Sequence, residues 1–234
     1  MNSFLRILNA LKADMLFQFK QGFYFVYLFL GVLYVIVCSQ FSEAVVRFVL
    51  PIALYTDPSI LGLFFIGGIL LLEKEQGILA LVYVTPLRTW EFILSKVISL
   101  GFVSLVASIG IALAAYKGPT NYFLLIFSVI LTSWFYTLVG FIIATKSKSV
   151  NDFFVKIIPL MIVLILPCIP AIIFPNLFWL SIIPSVSSLR LVWGAYHGIS
   201  LLEVMVSSAY LILIGVIFFR KTQTTFQNTM ITQE

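Results

Sequence analysis

The chain has 234 residues, of which 62% are hydrophobic and 10% charged, with a mean hydropathy of +1.13. Soluble domains carry roughly 25% charged residues, so this composition excludes a soluble globular enzyme and specifies an integral membrane protein. The net charge of +5 is spread over span ends, without a basic run or interleaved aromatics, which points to membrane topology and away from nucleic acid.

Residues 3–20 show helical periodicity, with Phe4, Leu8, Leu11, Met15 and Phe19 on one side and Arg6, Asn9 and Lys20 on the other. This predicts an amphipathic helix lying on the membrane. Arg6, Lys12 and Lys20 interrupt the apolar residues, so the segment does not read as a cleavable signal. A first span is expected from about Gly22 to Cys38, rich in aromatics such as Phe23, Tyr24 and Tyr27, and a loop with Glu43, Arg47 and Asp57 is expected after it. The second span, about Pro58 to Leu72, carries Gly62, Gly67 and Gly68, which permit close helix approach.

A polar island follows, from Glu73-Lys74-Glu75-Gln76-Gly77 to Thr85-Pro86-Leu87-Arg88, with Glu91 and Lys96 beyond it. Ile78, Leu81 and Val82 fall on one helical face, and Thr85-Pro86 should stop that helix, because proline disfavours helix in the residue before it and has no N–H. A short helix along the membrane surface is expected, with a plain solvated loop as the alternative.

The third span runs from roughly Phe92 to Tyr116, a tight turn occupies Lys117 to Asn121, and the fourth span runs from Tyr122 to Ala144. After a polar loop at 145–152, the fifth region is punctuated by Pro159, Pro167, Pro170, Pro175 and Pro184. Such density predicts a kinked span and then a non-spanning hairpin. A sixth span, Leu201 to Phe219, ends at Arg220-Lys221, with a short polar tail after it. The expected division of this single membrane domain is 1–21, 22–72, 73–90, 91–145, 146–152, 153–174, 175–200, 201–219 and 220–234.

Placing both termini and both polar loops on one side gives that side eleven Lys and Arg residues and leaves Arg47, Lys117 and Arg190 on the other. The positive-inside rule then puts both termini in the cytoplasm, an even number of crossings. A multi-pass protein of a prokaryotic plasma membrane is expected.

Catalytic constellations are missing from the sequence. His197 is the one histidine, without Cys or carboxylates at metal-ligand spacing. No GxxxxGK[ST] loop or G-x-S-x-G elbow occurs. Cys38 and Cys168 sit in apolar runs and read as buried thiols. The span centres carry almost no charge, which disfavours a proton- or sodium-coupled carrier.

The layout resembles the ABC type 2 transporter permease family: an interfacial helix, six spans, an acidic E-x-E-x-G followed by a hydrophobic helix and T-P-L, and a proline-rich hairpin before span six. At residue level the resemblance rests on Glu73, Glu75, Gly77, Leu81, Thr85, Pro86, Leu87, Glu91 and Lys96. It implies an all-α permease that works as a dimer, with itself or a paralogue, and with two separate cytosolic ATPase subunits. ATP and Mg would be held by those partners, and none by this chain.

Carried over, Gln76 to Val84 would be the coupling helix, Phe4 to Phe19 the elbow helix and Pro175 to Gly198 the re-entrant helices. Glu73, Glu75, Gln76, Gly77, Ile78, Leu81, Val82, Thr85 and Pro86 would dock the ATPase. Phe23, Tyr27, Gly67 and Gly68 are weaker candidates for a substrate pathway, since aromatic-rich spans more often face lipid. The expected activity is export of a hydrophobic or amphipathic drug, lipid or peptide. A secondary carrier or channel without an ATPase, and a haem-exporter-type permease, are the alternatives.

Overall fold

Every regular element among the described residues is helical in the computed structural model, which describes residues 3–56, 60–79, 85–174 and 178–231. Helix α1 (Ser3–Lys20) is followed by α2 (Phe23–Cys38) at a bend of 63°. Gly22 turns the corner at φ 81°, a left-handed conformation that costs a side-chain-bearing residue about 1–2 kcal/mol.

The segment expected as a loop between the first two spans is instead a helix, α3 (Glu43–Leu54). Val46, Leu50 and Leu54 recur every four residues and are all buried, so an amphipathic face that packs inward overrides the polar residues flanking it. The next helix, α4 (Leu61–Glu75), extends three residues beyond the expected end of span two. It stops at Gly77, whose φ of 70° suits the residue just past a helix C-terminus.

Helix α5 (Thr89–Ala115) starts where the Glu91 carboxylate accepts a hydrogen bond from the Arg88 N–H at 3.0 Å. Helix α6 (Tyr122–Thr145) is capped by Asn121, whose Oδ1 accepts the Leu124 N–H at 3.1 Å. Helix α7 (Val150–Ile165) and α8 (Cys168–Ile173) are parted by a turn at Leu166–Pro167. A 3-10 turn (Phe178–Ile182) leads to α9 (Pro184–His197), which begins on proline. At 14 residues α9 is roughly 21 Å long, short of a hydrocarbon core of about 30 Å.

The last helix corrects a second expectation. Instead of ending near Phe219 before a polar tail, α10 runs from Leu201 to Ile231, and Thr222 and Phe226 are buried beyond the apolar stretch.

Among the described residues, four helical stretches are long and apolar enough to cross a membrane: Thr89–Ala115, Tyr122–Thr145, Val150–Ile173 and Leu201–Thr229. The bent pair α1–α2 makes a fifth if taken as one span. Leu28 and Phe29 are about two-thirds exposed, as suits a lipid-facing surface.

Helix α6 is the centre of the assembly, contacting α4, α5, α9 and α10. Its closest approach is at Gly140, where a Cβ would collide with the Leu63 carbonyl oxygen of α4. Helix α6 carries several buried hydroxyl residues: Ser133 meets Ser104 of α5 at 3.5 Å and Thr137 faces Gly62 of α4, side chains small enough to let the backbones close up. Deeper toward α3, Tyr55 and Tyr136 join their hydroxyls at 2.5 Å and Tyr55 reaches the Cys168 sulfur at 3.5 Å. Both cysteines are free and buried.

Candidate functional site: a buried charge network

Helix α1 packs against the first three turns of α5, and the two are joined by their polar faces. Arg6 makes a two-pronged contact with Glu91, Nη2 to Oε1 at 2.6 Å and Nε to Oε2 at 2.9 Å. Farther along, Asp14 accepts from Ser95 Oγ at 2.6 Å and from Lys96 Nζ at 2.8 Å. Gln18 then donates to Ser99 Oγ at 2.8 Å. Glu91, Ser95 and Ser99 are four residues apart, so α5 presents one polar stripe toward α1.

The expected division of α1 is only partly met: of its expected polar side Arg6 meets protein, whereas Asn9 and Lys20 are exposed on the same helix as Phe4 and Phe19. Asp14 and Gln18 are buried, while Phe4, Leu16 and Phe19 are more than half exposed. An exposed apolar surface of this kind is what a helix in contact with lipid requires.

Lys96 also donates to Glu73 Oε1 of α4 at 2.6 Å, and it is buried almost completely. One ammonium thus ties three helices together, flanked by the Phe92 ring at 4.6 Å. Glu73 Oε2 has no hydrogen-bond partner among the described residues. The hydrogen bond that Arg6 donates to Glu91 raises the affinity of Arg6 for its proton above the ordinary arginine value, so this guanidinium stays charged at any working pH.

The acidic pair at the end of α4 splits. Glu73 turns inward to Lys96, whereas Glu75, Gln76 and Gly77 are exposed. Ile78 is half-buried, Thr85 and Pro86 are exposed, and residues 80–84, which include Leu81, Val82 and most of the expected coupling helix, lie outside the described residues.

The four pathway candidates all contribute to packing in this conformation. Phe23 and Tyr27 set their rings edge-on to Phe65, with centroids 4.9 and 5.0 Å away. The Tyr27 hydroxyl lies 3.3 Å from Ser104 Oγ. Gly67 admits the Phe153 ring, which a Cβ there would strike, and Gly68 sits against Phe23.

At the other end of the molecule a cavity of about 900 Å³ opens between the α5–α6 turn, α9 and the start of α10, with Arg47, Asn121, Phe127 and His197 in its wall. Arg47 donates to the Tyr196 carbonyl at 3.0 and 3.2 Å. His197 stacks on Trp193, and burial lowers its proton affinity below that of ordinary imidazole.

Asp14, Gln18, Ser95 and Ser99 were not singled out by sequence reasoning, and Arg6 entered it only as part of the polar face of the first helix. Their signal was the coincidence of two polar stripes on segments that each read as amphipathic or apolar. No group of His, Cys, Asp and Glu that could hold a metal occurs among the described residues.

Known proteins resemble this chain over most of its length. Two relatives named fluoroquinolones export permease protein, from two strains of Mycobacterium tuberculosis, are each 29% identical over 198 residues, covering 84% of this chain and 83% of theirs. Residues 5–234 match the fluoroquinolones export permease protein family, so the match takes in α1, the polar island and the whole of α10. ABC type 2 permeases generally work with ATPase partner subunits. The chain is a multi-pass membrane protein and belongs to the fluoroquinolones export permease family of ABC type 2 permeases.

Proposed function

We propose that this chain is the membrane subunit of an ATP-driven exporter that moves hydrophobic or amphipathic drug-like molecules, fluoroquinolones among them, out of the cytoplasm or inner leaflet. Two permease chains, identical or paralogous, pair around the pathway, and two separate ATPase subunits dock on the loop at 73–90. In this reading six spans, with α4 as the second, leave both termini and this loop on one side, and the Lys and Arg asymmetry supports the cytoplasm as that side.

One observation carries the reading. The helix from which the loop departs is tied through Glu73 to Lys96, and through Lys96 to Asp14 of α1. Movement of the loop therefore reaches three helices through short charge-assisted contacts, which transmit displacement better than loose apolar packing. The exposed Glu75 and Gln76 remain for the partner surface. The names of the relatives support a drug as cargo, and the scarcity of charge at the span centres supports an energy source outside the membrane. ATP and Mg act on the partner, because this sequence has no phosphate-binding loop.

The test is reconstitution with the partner ATPase in lipid vesicles. A fluoroquinolone should raise ATP hydrolysis and appear across the membrane, and sugars or amino acids should do neither. Export that persists without ATPase and collapses with the ion gradient would replace this reading with a secondary carrier.

A further inference from the structure

The last helix carries about ten residues more than its membrane stretch requires. From Thr222 to Ile231 it projects about 15 Å past Arg220 and Lys221, the pair that marks the end of the apolar segment. This extension has two faces. Thr222 and Phe226 are buried, with Thr229 partly so, while Lys221, Thr224, Gln227 and Asn228 are exposed.

The inner face is wedged into the site described above. The Phe226 ring stacks on Phe92 at 5.5 Å and meets Phe141 edge-on at 5.5 Å. Phe92 is the ring beside the Lys96 ammonium. Phe226 and Thr229 also line a narrow crevice with Leu70, Lys74, Leu79 and Thr145, so the extension touches the residues where α4 passes into the polar island. Gln227 Nε2 reaches Thr89 Oγ1, at 3.5 Å, on the far side of that island.

We infer that the extension of α10 is a second docking surface for the same ATPase, beside the loop, and that Phe226 is the positioning residue that carries its displacement to Phe92 and Lys96. This rests on the proposed function. Lipid does not fit the outer face, which offers hydroxyls and amides two turns beyond the basic pair. A second permease copy would have to meet it outside the membrane, where the apolar area that drives such pairing is absent. A soluble partner already bound at Glu75 and Gln76 would extend onto this face without a gap, because the inner side of the same two turns borders Leu79.

A photoreactive benzoylphenylalanine placed at Thr224, Gln227, Glu75 or Leu202, in permease co-expressed with its ATPase, separates the possibilities. Thr224 and Gln227 should cross-link to the ATPase as Glu75 does, and Leu202, at the other end of α10, should not. Cross-linking from Glu75 without any from Thr224 or Gln227 overturns the inference and leaves the docking reading standing. Failure at Glu75 as well removes both. The wedge has its own readout: Phe226→Ala should lower drug-stimulated hydrolysis roughly fivefold or more, and Phe226→Leu should restore part of it at equal complex recovery. Wild-type stimulation in folded Phe226→Ala would remove Phe226 from the path.

Discussion

Lys96 reaches Glu73 across the gap between α5 and α4, Nζ to Oε1 at 2.6 Å, with both side chains at least nine-tenths buried. The same ammonium lies 2.8 Å from Asp14. Replacing Lys96 with methionine strands two carboxylates, and breaking a buried pair this way costs about 3–5 kcal/mol. Glu73→Gln or Asp14→Asn leaves Lys96 one charged partner, and each should cost about 1–3 kcal/mol. Melting temperatures of the purified variants in detergent should fall in that order. The triple variant Lys96→Met, Asp14→Asn, Glu73→Gln should recover part of the loss, since no unpaired charge remains.

The two acids of the polar island should behave differently under charge reversal. Glu75→Lys changes an exposed residue, so the permease should fold normally, within about 0.5 kcal/mol, and recover less ATPase on co-purification. Glu73→Lys places a second cation against Lys96 in a buried site and should reduce the folded yield itself. Equal ATPase recovery by folded Glu75→Lys and wild type would move docking away from this residue.

The division between Glu73 and Glu75 shows where the sequence was and was not legible. Hydropathy located α2, α5, α6 and α10, because a run of apolar residues is a local property. The E-x-E spacing marked a functional segment, but two residues two apart on a helix point in different directions, and only the partner helix decides which one turns inward. Lys96 appeared in the pattern without its role, since Asp14 is 82 positions away in the chain. Helix α3 was missed because Glu43, Arg47 and Asp57 drew attention from the four-residue spacing of Val46, Leu50 and Leu54. The extension of α10 was missed for a related reason: Thr and Asn are indifferent helix formers, and Phe226 is one buried ring in a polar stretch.

Glycine positions offer a test of the packing. A Cβ at Gly140 meets the Leu63 backbone, which cannot swing aside as a side chain can. Gly140→Ala should therefore destabilise by about 1–3 kcal/mol through overpacking. At Gly110 nothing lies within 4 Å of a Cβ, and alanine there should be neutral or stabilising by up to about 1 kcal/mol from helix propensity. Thermal unfolding of the two variants side by side checks the contrast, and equal melting temperatures would contradict the α4–α6 contact.

The direction in which the protein sits in its membrane decides whether the charge network can meet a cytosolic motor. Helices α5 and α6 run antiparallel through the membrane and are joined by residues 116–121, so Lys117 in the turn and Lys148 beyond the end of α6 should face opposite compartments. Both are exposed, and in the proposed six-span topology eleven of the fourteen Lys and Arg residues share the side of Lys148, which the positive-inside rule would then assign to the cytoplasm. In a Cys38→Ala, Cys168→Ser background, an impermeant maleimide added to intact cells should label cysteine introduced at Lys117 or Leu201. It should spare cysteine at Lys148 until the cells are opened. Labelling at Lys148 with protection at Lys117 would turn the network outward, where no ATPase could reach Glu75, and the docking surfaces proposed at the island and on α10 would fall together. Labelling at both would mean that α6 does not cross the membrane, against its 24 residues and apolar composition.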